Sequence, residues 1–274
     1  MKYFKIFLFI LLPLFGISQA DYRIYPDVVY GHKAGMALTY DVIQSKDSVN
    51  GAGIIHVVSG GWNSRYFPPD SIAGNYKSYL DKGYTIFALR HGSGPRFTIP
   101  ESVNDVKQGT WHIHDHCAQY GVDSTSLGIY GGSSGGQLSL MTGLEGDRHP
   151  VRAIVAFFAP ANLQNIPDMI KVMMPALDFD TAQAKSVSPV LFASPDDPPT
   201  LLIHGTSDFV VAPWQSENMY KALQDNGVIS KLVMVDGMGH GNSFGAKGSF
   251  YEEANNELIR WFDLYLLNKN VDNQ

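Results

Sequence analysis

The chain of 274 residues is poor in cysteine and has no cluster of basic side chains. Its one cysteine, Cys117, cannot close a disulfide within the chain and cannot build a metal site of the CxxC type. The formal net charge is −6, and without a basic cluster this argues against a nucleic-acid partner. Repeats and low-complexity tracts are also lacking. With 45% hydrophobic and 17% charged residues, the composition is that of a packed globular protein.

A long apolar run occurs only near the N-terminus. Lys2 and Lys5 lead into an apolar stretch over residues 6–17, and Ser18-Gln19-Ala20 offers small residues at the third and first positions before a cut. This pattern predicts a signal peptide cleaved after Ala20, and hence a secreted or periplasmic protein without stable membrane insertion. An uncleaved anchor is the alternative, although the run is shorter than the roughly 20 residues that a span needs. Residues 21–274 are expected to form one catalytic domain.

Short apolar runs alternate with helix-like stretches along the rest of the chain. Such runs are typical of strands that are buried on both faces of a parallel sheet. Strands are predicted over 27–30, 37–43, 54–58, 85–89, 127–130, 153–158, 200–203 and 232–235, and helices over 71–80, 102–119, 138–144, 214–224 and 252–267. The alternation predicts an α/β fold with a mainly parallel central sheet covered by helices on both faces. Residues 161–189 exceed a plain crossover and are predicted to form a small cap or lid insertion.

A glycine- and serine-rich segment lies between the predicted strand 127–130 and the helix that follows. Its sequence is Gly131-Gly132-Ser133-Ser134-Gly135-Gly136. A serine in G-x-S-x-G at such a turn indicates a nucleophile elbow, in which a strained turn raises the hydroxyl above the sheet and crowds the flanking glycines. Both serines satisfy the pattern. We favour Ser133, because Gly136 then remains for close packing of the helix on the sheet; a loop without chemistry is the alternative.

A serine hydrolase of this type has its acid and then its histidine after the nucleophile. Of nine histidines, only His240 follows Asp208, and it lies in a glycine-rich loop after the last predicted strand. Asp208 closes the turn after strand 200–203 and is the predicted acid, whereas Asp236 is too close to His240 in sequence to orient it. In this interpretation Ser133 attacks the acyl carbon, His240 transfers the proton, and Asp208 orients the imidazole.

Other positions are predicted to bind the substrate. The oxyanion hole is expected from backbone N–H groups at the end of strand 54–58 and after the nucleophile, namely Gly60, Gly61 and Ser134. Side chains near the carboxyl ends of strands or close to these motifs are predicted to touch the substrate, with ordinary packing as the alternative: Trp62, His91, Phe97 and Trp214.

Three histidines on the predicted helix 102–119 invite a metal interpretation. Only His112 and His116 share a helix face, and His114 points elsewhere. We interpret them as a solvated surface and predict no metal site and no cofactor.

Together, these motifs resemble those of the α/β-hydrolase superfamily, in particular acetyl esterases, dienelactone hydrolases and prolyl-oligopeptidase-like enzymes. The elbow is similar to the family's G-x-S-A-G-G, which aligns the nucleophile with Ser133. Residues 194–205 resemble the family's segment that leads into the strand before the catalytic acid. The resemblance then implies that Asp208 and His240 are the acid and the base. One stretch departs, since esterases resembling hormone-sensitive lipase have H-G-G-G-W where this chain has Val58-Ser59-Gly60-Gly61-Trp62.

The resemblance implies a serine esterase that acts on a small-molecule or carbohydrate ester, with short-acyl or acetyl esters expected. The predicted signal peptide would make this esterase secreted or periplasmic. A small serine exopeptidase is the first alternative, since prolyl-oligopeptidase-like enzymes share this catalytic domain. A binding module of the same fold without catalysis is the second.

Overall fold

The computed structural model describes residues 22–144, 148–164, 175–177, 180–241 and 249–267, together with Gly146 and Ile166. The predicted signal peptide lies outside the described residues, as do residues 165, 167–174, 178 and 179 of the predicted cap segment 161–189. Within the described ranges, no helix is long and apolar enough to cross a membrane.

Eight strands form one sheet in the order β1-β2-β4-β3-β5-β6-β7-β8. The strands β3 to β8 run parallel, whereas β2 pairs antiparallel with both β1 and β4. The mainly parallel sheet predicted from the sequence is therefore confirmed. The strand bounds are β1 Tyr22–Lys33, β2 Met36–Ser45, β3 Gly53–Val57, β4 Thr85–Leu89, β5 Leu127–Gly132, β6 Ala153–Phe157, β7 Thr200–Gly205 and β8 Ser230–Val235.

The first strand begins five residues before its predicted start. It lies at the edge of the sheet, so many of its side chains are exposed and it lacks a continuous apolar run. Its register on β2 shifts between Tyr25 and Val28, and Asp27 at this bulge has a φ of 51°. The irregular register breaks the alternation that would have indicated a strand.

Helices connect the strands close to the predicted positions. Their bounds are α1 Pro69–Ile72, α2 Lys77–Leu80, α3 Ile99–His116, α4 Ser134–Leu144, α5 Thr181–Ser186, α6 Trp214–Asp225 and α7 Ser249–Phe262. Helix α3 begins three residues before its predicted start because Thr98 and Glu101 form a capping box. Thr98 N–H donates to the Glu101 carboxylate at 2.9 Å, and Glu101 N–H donates to Thr98 Oγ1 at 3.4 Å.

The helices bury both faces of the sheet. Helices α3, α4 and α6 pack on the face that contains Ile55 and Phe87, and α2 and α7 pack on the face that contains Ile54 and Ile86. Successive residues of one strand thus reach opposite cores, which explains why the central strands are apolar without interruption. Since β3 to β8 are parallel, their carboxyl ends share one edge, and the loops that follow β3, β5, β7 and β8 meet there.

Candidate active site

The turn between β5 and α4 has the geometry of a nucleophile elbow. Ser133 at its tip has a φ of 53°, a strained value for a residue with a side chain. A Cβ atom on Gly131 would lie 2.4 Å from the carbonyl carbon of Gly135, and one on Gly135 would lie 2.7 Å from Val57 O. The crowding predicted for the two flanking glycines is therefore present around Ser133. Ser134 is instead the first residue of the helix.

The three residues predicted as nucleophile, base and acid lie in one hydrogen-bonded row. His240 Nε2 lies 3.1 Å from Ser133 Oγ, and His240 Nδ1 lies 2.7 Å from Asp208 Oδ2. Because a carboxylate only accepts, Nδ1 carries the ring proton and the lone pair of Nε2 faces the Ser133 hydroxyl. This arrangement can take a proton from Ser133 as its oxygen attacks.

Asp208 is held as a buried carboxylate. Its Oδ1 atom accepts the N–H groups of Val210 and Val211, both at 2.9 Å, and its Oδ2 atom lies 3.4 Å from His204 Nε2. Burial by itself would raise the pKa of Asp208, but the interactions with His204 and His240 and the N–H of Val211 outweigh it and hold the pKa well below its usual range. The negative charge beside His240 is thereby maintained at neutral pH.

His204 is a supporting residue that the sequence analysis did not identify. It lies on β7 with no exposed surface, its Nδ1 atom is 2.6 Å from Ser216 Oγ, and its Nε2 atom is 2.9 Å from Val211 O. The ring therefore ties the turn that carries Asp208 to helix α6. Its place at the carboxyl end of a parallel strand was the available signal.

The acid loop and the base loop are in direct backbone contact. A Cβ atom on Gly205 would lie 2.1 Å from Met238 O, so this position excludes any larger residue. Ser207 N–H also donates to Met238 O at 3.0 Å. The loops that carry Asp208 and His240 consequently pack as one unit.

The backbone amides near Ser133 revise the predicted oxyanion hole. Gly60 N–H donates to Asn63 O at 3.0 Å, so it is already occupied. The N–H groups of Gly61 and Ser134 have no hydrogen-bond partner among the described residues. Of the three predicted donors, Gly61 and Ser134 are thus available to a substrate oxygen, and Gly60 is not.

Ser133 and His240 lie in the wall of a cavity of about 460 Å³. Phe158, which follows β6, also lines this cavity. Its ring contacts that of His240, with the ring centroids 4.8 Å apart. The segment after β3 supplies Arg65 and Phe67 at the exposed rim. The remaining lining residues are His56, Val58, Ser59, Gly60, Gly61, Asn63, Gly132 and Gly241. Neither Arg65 nor Phe67 belongs to a motif, so the sequence alone gave no reason to select them.

None of the four side chains predicted to touch the substrate lines this cavity. Trp62 is buried, because its Nε1 atom donates to Gln137 Oε1 at 2.9 Å within the core. His91 and Phe97 face a second cavity of about 640 Å³, and both are buried. Trp214 begins α6 and remains partly exposed away from both cavities. Trp62 and His91 follow β3 and β4 as predicted, but tertiary contacts set the direction of their side chains.

The histidines of α3 interact with each other and with the backbone. The rings of His112 and His116 stack with centroids 4.1 Å apart, and His116 Nδ1 lies 2.8 Å from His112 O. His114 Nδ1 is 2.9 Å from Asp115 Oδ1 at the helix surface. These contacts lie on a helix that precedes β5, away from the edge at which Ser133 is found.

Comparisons with known proteins place the fold and the family. Residues 41–223, more than half of the chain, match the BD-FAE family. The chain is 26% identical over 194 residues to esterase LipQ of Mycobacterium tuberculosis, covering 64% of this chain and 46% of LipQ. It therefore spans less than half the length of that relative.

Two solved structures are similar in fold. Thermogutta terrifontis esterase 2 phosphoramylated by tabun has a TM-score of 0.74 at 21% identity, covering 91% of this chain and 97% of the other. A truncated carbohydrate esterase from gut microbiota has a TM-score of 0.70 at 22% identity, covering 89% of this chain and 98% of the other. The chain has the α/β-hydrolase fold and belongs to the BD-FAE family.

Proposed function

We propose that this protein is a serine hydrolase that cleaves carboxylic esters with short acyl groups. The observation that carries the proposal is the row Ser133–His240–Asp208, joined at 3.1 and 2.7 Å in the wall of a cavity. The esterase names of the relatives and structural neighbours support an ester bond as the target.

In the first half of the reaction, Ser133 Oγ attacks the acyl carbon and its proton moves to His240 Nε2. The carbonyl electron pair moves onto oxygen, and the N–H groups of Gly61 and Ser134 stabilise that charge. The C–O bond to the alcohol then breaks, and His240 returns the proton to the departing alkoxide. The products of this half are an alcohol and an ester of Ser133.

Water completes the second half. His240 takes a proton from water as the water oxygen bonds to the acyl carbon of the Ser133 ester. Collapse of the second tetrahedral intermediate breaks the bond to Ser133, whose oxygen regains the proton from His240. Asp208 stabilises the imidazolium in both halves without taking up the proton itself.

The cavity and the expected location support this substrate class. Phe67 and Phe158 in the wall of the cavity supply apolar surface that an acyl group can contact. A signal peptide cleaved after Ala20 would bring the enzyme to substrates outside the cytoplasm, which is compatible with carbohydrate esters. Similarity to a carbohydrate esterase supports the same class.

The test is hydrolysis of 4-nitrophenyl esters from C2 to C12 by the purified full chain. Turnover should be highest at C2 and should fall at least about a thousandfold in Ser133→Ala. Ser134→Ala is the matched control, because it keeps the backbone N–H and should retain measurable turnover. An active Ser133→Ala beside an inactive Ser134→Ala would contradict the assigned nucleophile.

An organophosphate probe gives an independent readout. A fluorophosphonate should phosphonylate Ser133 with loss of fluoride, and fragmentation of the labelled peptide separates Ser133 from Ser134. No ester turnover and no labelling, with the fold intact, would favour a binding module. Turnover of aminoacyl amides but not of esters would favour an exopeptidase.

A further inference from the structure

Three side chains next to the elbow, those of His91, Ser59 and Ser134, form a hydrogen-bonded series. His91 Nε2 lies 2.9 Å from Ser59 Oγ, and Ser59 Oγ lies 2.9 Å from Ser134 Oγ. His91 and Ser134 are 5% and 1% exposed. The proposed reaction uses the backbone N–H of Ser134 but none of these three side chains, so their connection needs a separate explanation.

The positions of the protons in this hydrogen-bonded series follow from the contacts of His91. His91 Nδ1 lies 2.8 Å from the carbonyl oxygen of Gly92, which only accepts, so Nδ1 carries the ring proton. Burial lowers the pKa of His91, which keeps the ring neutral and leaves Nε2 as an acceptor. Ser59 therefore donates its hydroxyl proton to His91, and its oxygen accepts the hydroxyl proton of Ser134.

Hydrogen bonds to helix α3 hold the loop that carries His91. Gly92 N–H donates to Asp105 Oδ2 at 2.9 Å, and Asp105 Oδ1 lies 2.9 Å from Lys33 Nζ. Asp105 is 5% exposed and stands on α3. The imidazole is thus fixed to the loop after β4 and to a helix of the core, and it can act as an anchor for Ser59.

The loop that carries Gly61 is tied to α4 on both sides. Ser59 contacts Ser134 on one side, and on the other Trp62 Nε1 donates to Gln137 Oε1 at 2.9 Å. Ser134 and Gln137 are three residues apart, so they are neighbours on successive turns of the helix. The two side-chain contacts span the stretch from which Gly61 presents its N–H.

We propose that Ser59 and His91 are positioning residues that hold the N–H groups of Gly61 and Ser134 at the spacing an oxyanion requires. The inference rests on the proposed function, because that oxyanion is the one formed when Ser133 attacks an ester.

The first test compares Ser59→Ala, Ser59→Thr and His91→Phe in the full chain with 4-nitrophenyl acetate. Loss of one donor from an oxyanion hole costs about 10²–10³ in kcat, and a displaced donor should cost about tenfold or more. KM should change by less than about threefold, since the charge develops only after attack. Ser59→Thr keeps the hydroxyl and should restore kcat to within about threefold of the wild type.

A second readout separates positioning from general stability. Ser133 adds to the carbonyl of a trifluoromethyl ketone, forming a C–O bond and an oxyanion in the same place, while its proton moves to His240. The inhibition constant for this ketone should rise in Ser59→Ala in proportion to the fall in kcat/KM. Ser139→Ala is the matched control. Ser139 is a buried serine of α4 that donates to Gly135 O at 2.8 Å and does not belong to the hydrogen-bonded series. Its kcat and inhibition constant should match the wild type.

The double variant Ser59→Ala/His91→Phe should lose no more kcat than the worse single variant, because both changes interrupt the same series of hydrogen bonds. Wild-type kcat and ketone binding in Ser59→Ala, or independent losses in the double variant, would overturn the inference. Melting temperatures measured alongside identify variants that fail to fold. An inactive wild type would instead refute the proposed function, whereas an active wild type with an unaffected Ser59→Ala refutes the positioning role alone.

Discussion

Gly131 approaches Gly135 so closely that position 131 has no room for a Cβ atom. The separation of 2.4 Å from an added Cβ on Gly131 to the carbonyl carbon of Gly135 is far inside any normal contact. Both atoms belong to rigid elements, β5 and α4, so the clash has no flexible side chain to absorb it. The contact fixes the angle at which the helix leaves the strand.

Gly131→Ala should therefore destabilise the fold by several kcal/mol, on the order of 3 or more, and abolish ester turnover. Urea unfolding followed by tryptophan fluorescence measures the first effect. Gly74→Ala is a suitable control, because nothing lies within 4 Å of an added Cβ there and its φ is negative. It should shift the free energy of unfolding by less than about 1 kcal/mol. A stable, active Gly131→Ala would show that the elbow can relax.

Asp208→Asn should reduce kcat by about 10³–10⁴, because an amide cannot stabilise the imidazolium. The pKa of Asp208 is lowered by folding, so the stability from its charge is present above the unfolded pKa of about 3.9 and is lost as pH falls through the folded pKa. The difference in unfolding free energy between wild type and Asp208→Asn should be constant from pH 7 to 5 and shrink below about pH 4. Urea titrations at each pH measure it, and a difference that grows on acidification would contradict the assigned charge.

His56 should make folding pH-dependent in a different range. Burial lowers its pKa to about 4, while its ring stacks on Tyr130 and its Nδ1 atom lies 2.8 Å from the hydroxyl of Tyr76. Since the unfolded chain binds the proton at about pH 6.5, stability should fall from there down to pH 4, by up to about 3 kcal/mol. His56→Gln should reduce this slope, and His91, whose pKa burial also lowers, should keep part of it. His32→Gln, at an exposed position, should leave it in place.

Arg65 supplies a positive charge to the rim of the cavity that contains Ser133 and His240. The described residues of the cavity wall include no other lysine or arginine and no aspartate or glutamate. Wild-type enzyme should therefore favour 4-acetoxybenzoate over its methyl ester, and Arg65→Gln should reduce that preference by about three- to tenfold. Higher salt should weaken the preference because it screens the charge. Arg96→Gln, in the second cavity, controls for net charge; an equal loss there would point to a long-range field.

Much of the fold could be predicted because its signals are local. The run 85–89 is buried on both sides and was predicted to the residue, and the elbow and the order of Ser133, Asp208 and His240 followed from spacing. Helix boundaries were less accurate, since the capping box at Thr98 moved the start of α3.

The walls of the cavity depended on distant parts of the chain. Trp62 follows two glycines and would be free to turn either way, but the amide of Gln137, 75 positions later, draws it into the core. Gly60 likewise lost its predicted role through a hydrogen bond to Asn63, which depends on how the loop folds back. Such choices between partners are made by packing and cannot be read from residue type.

The contact between Gly205 and Met238 O has a consequence for how this protein can change over evolution. Because the acid and base loops touch through their backbones, an added residue between Gly205 and Asp208 would move the acid away from a base that stays in place. The turn at Gly227, with open space around it and a left-handed φ of 74°, can lengthen without that penalty. Insertions that enlarge or reshape this protein are therefore expected at the amino end of β8, and length should be invariant in the short turn that follows β7.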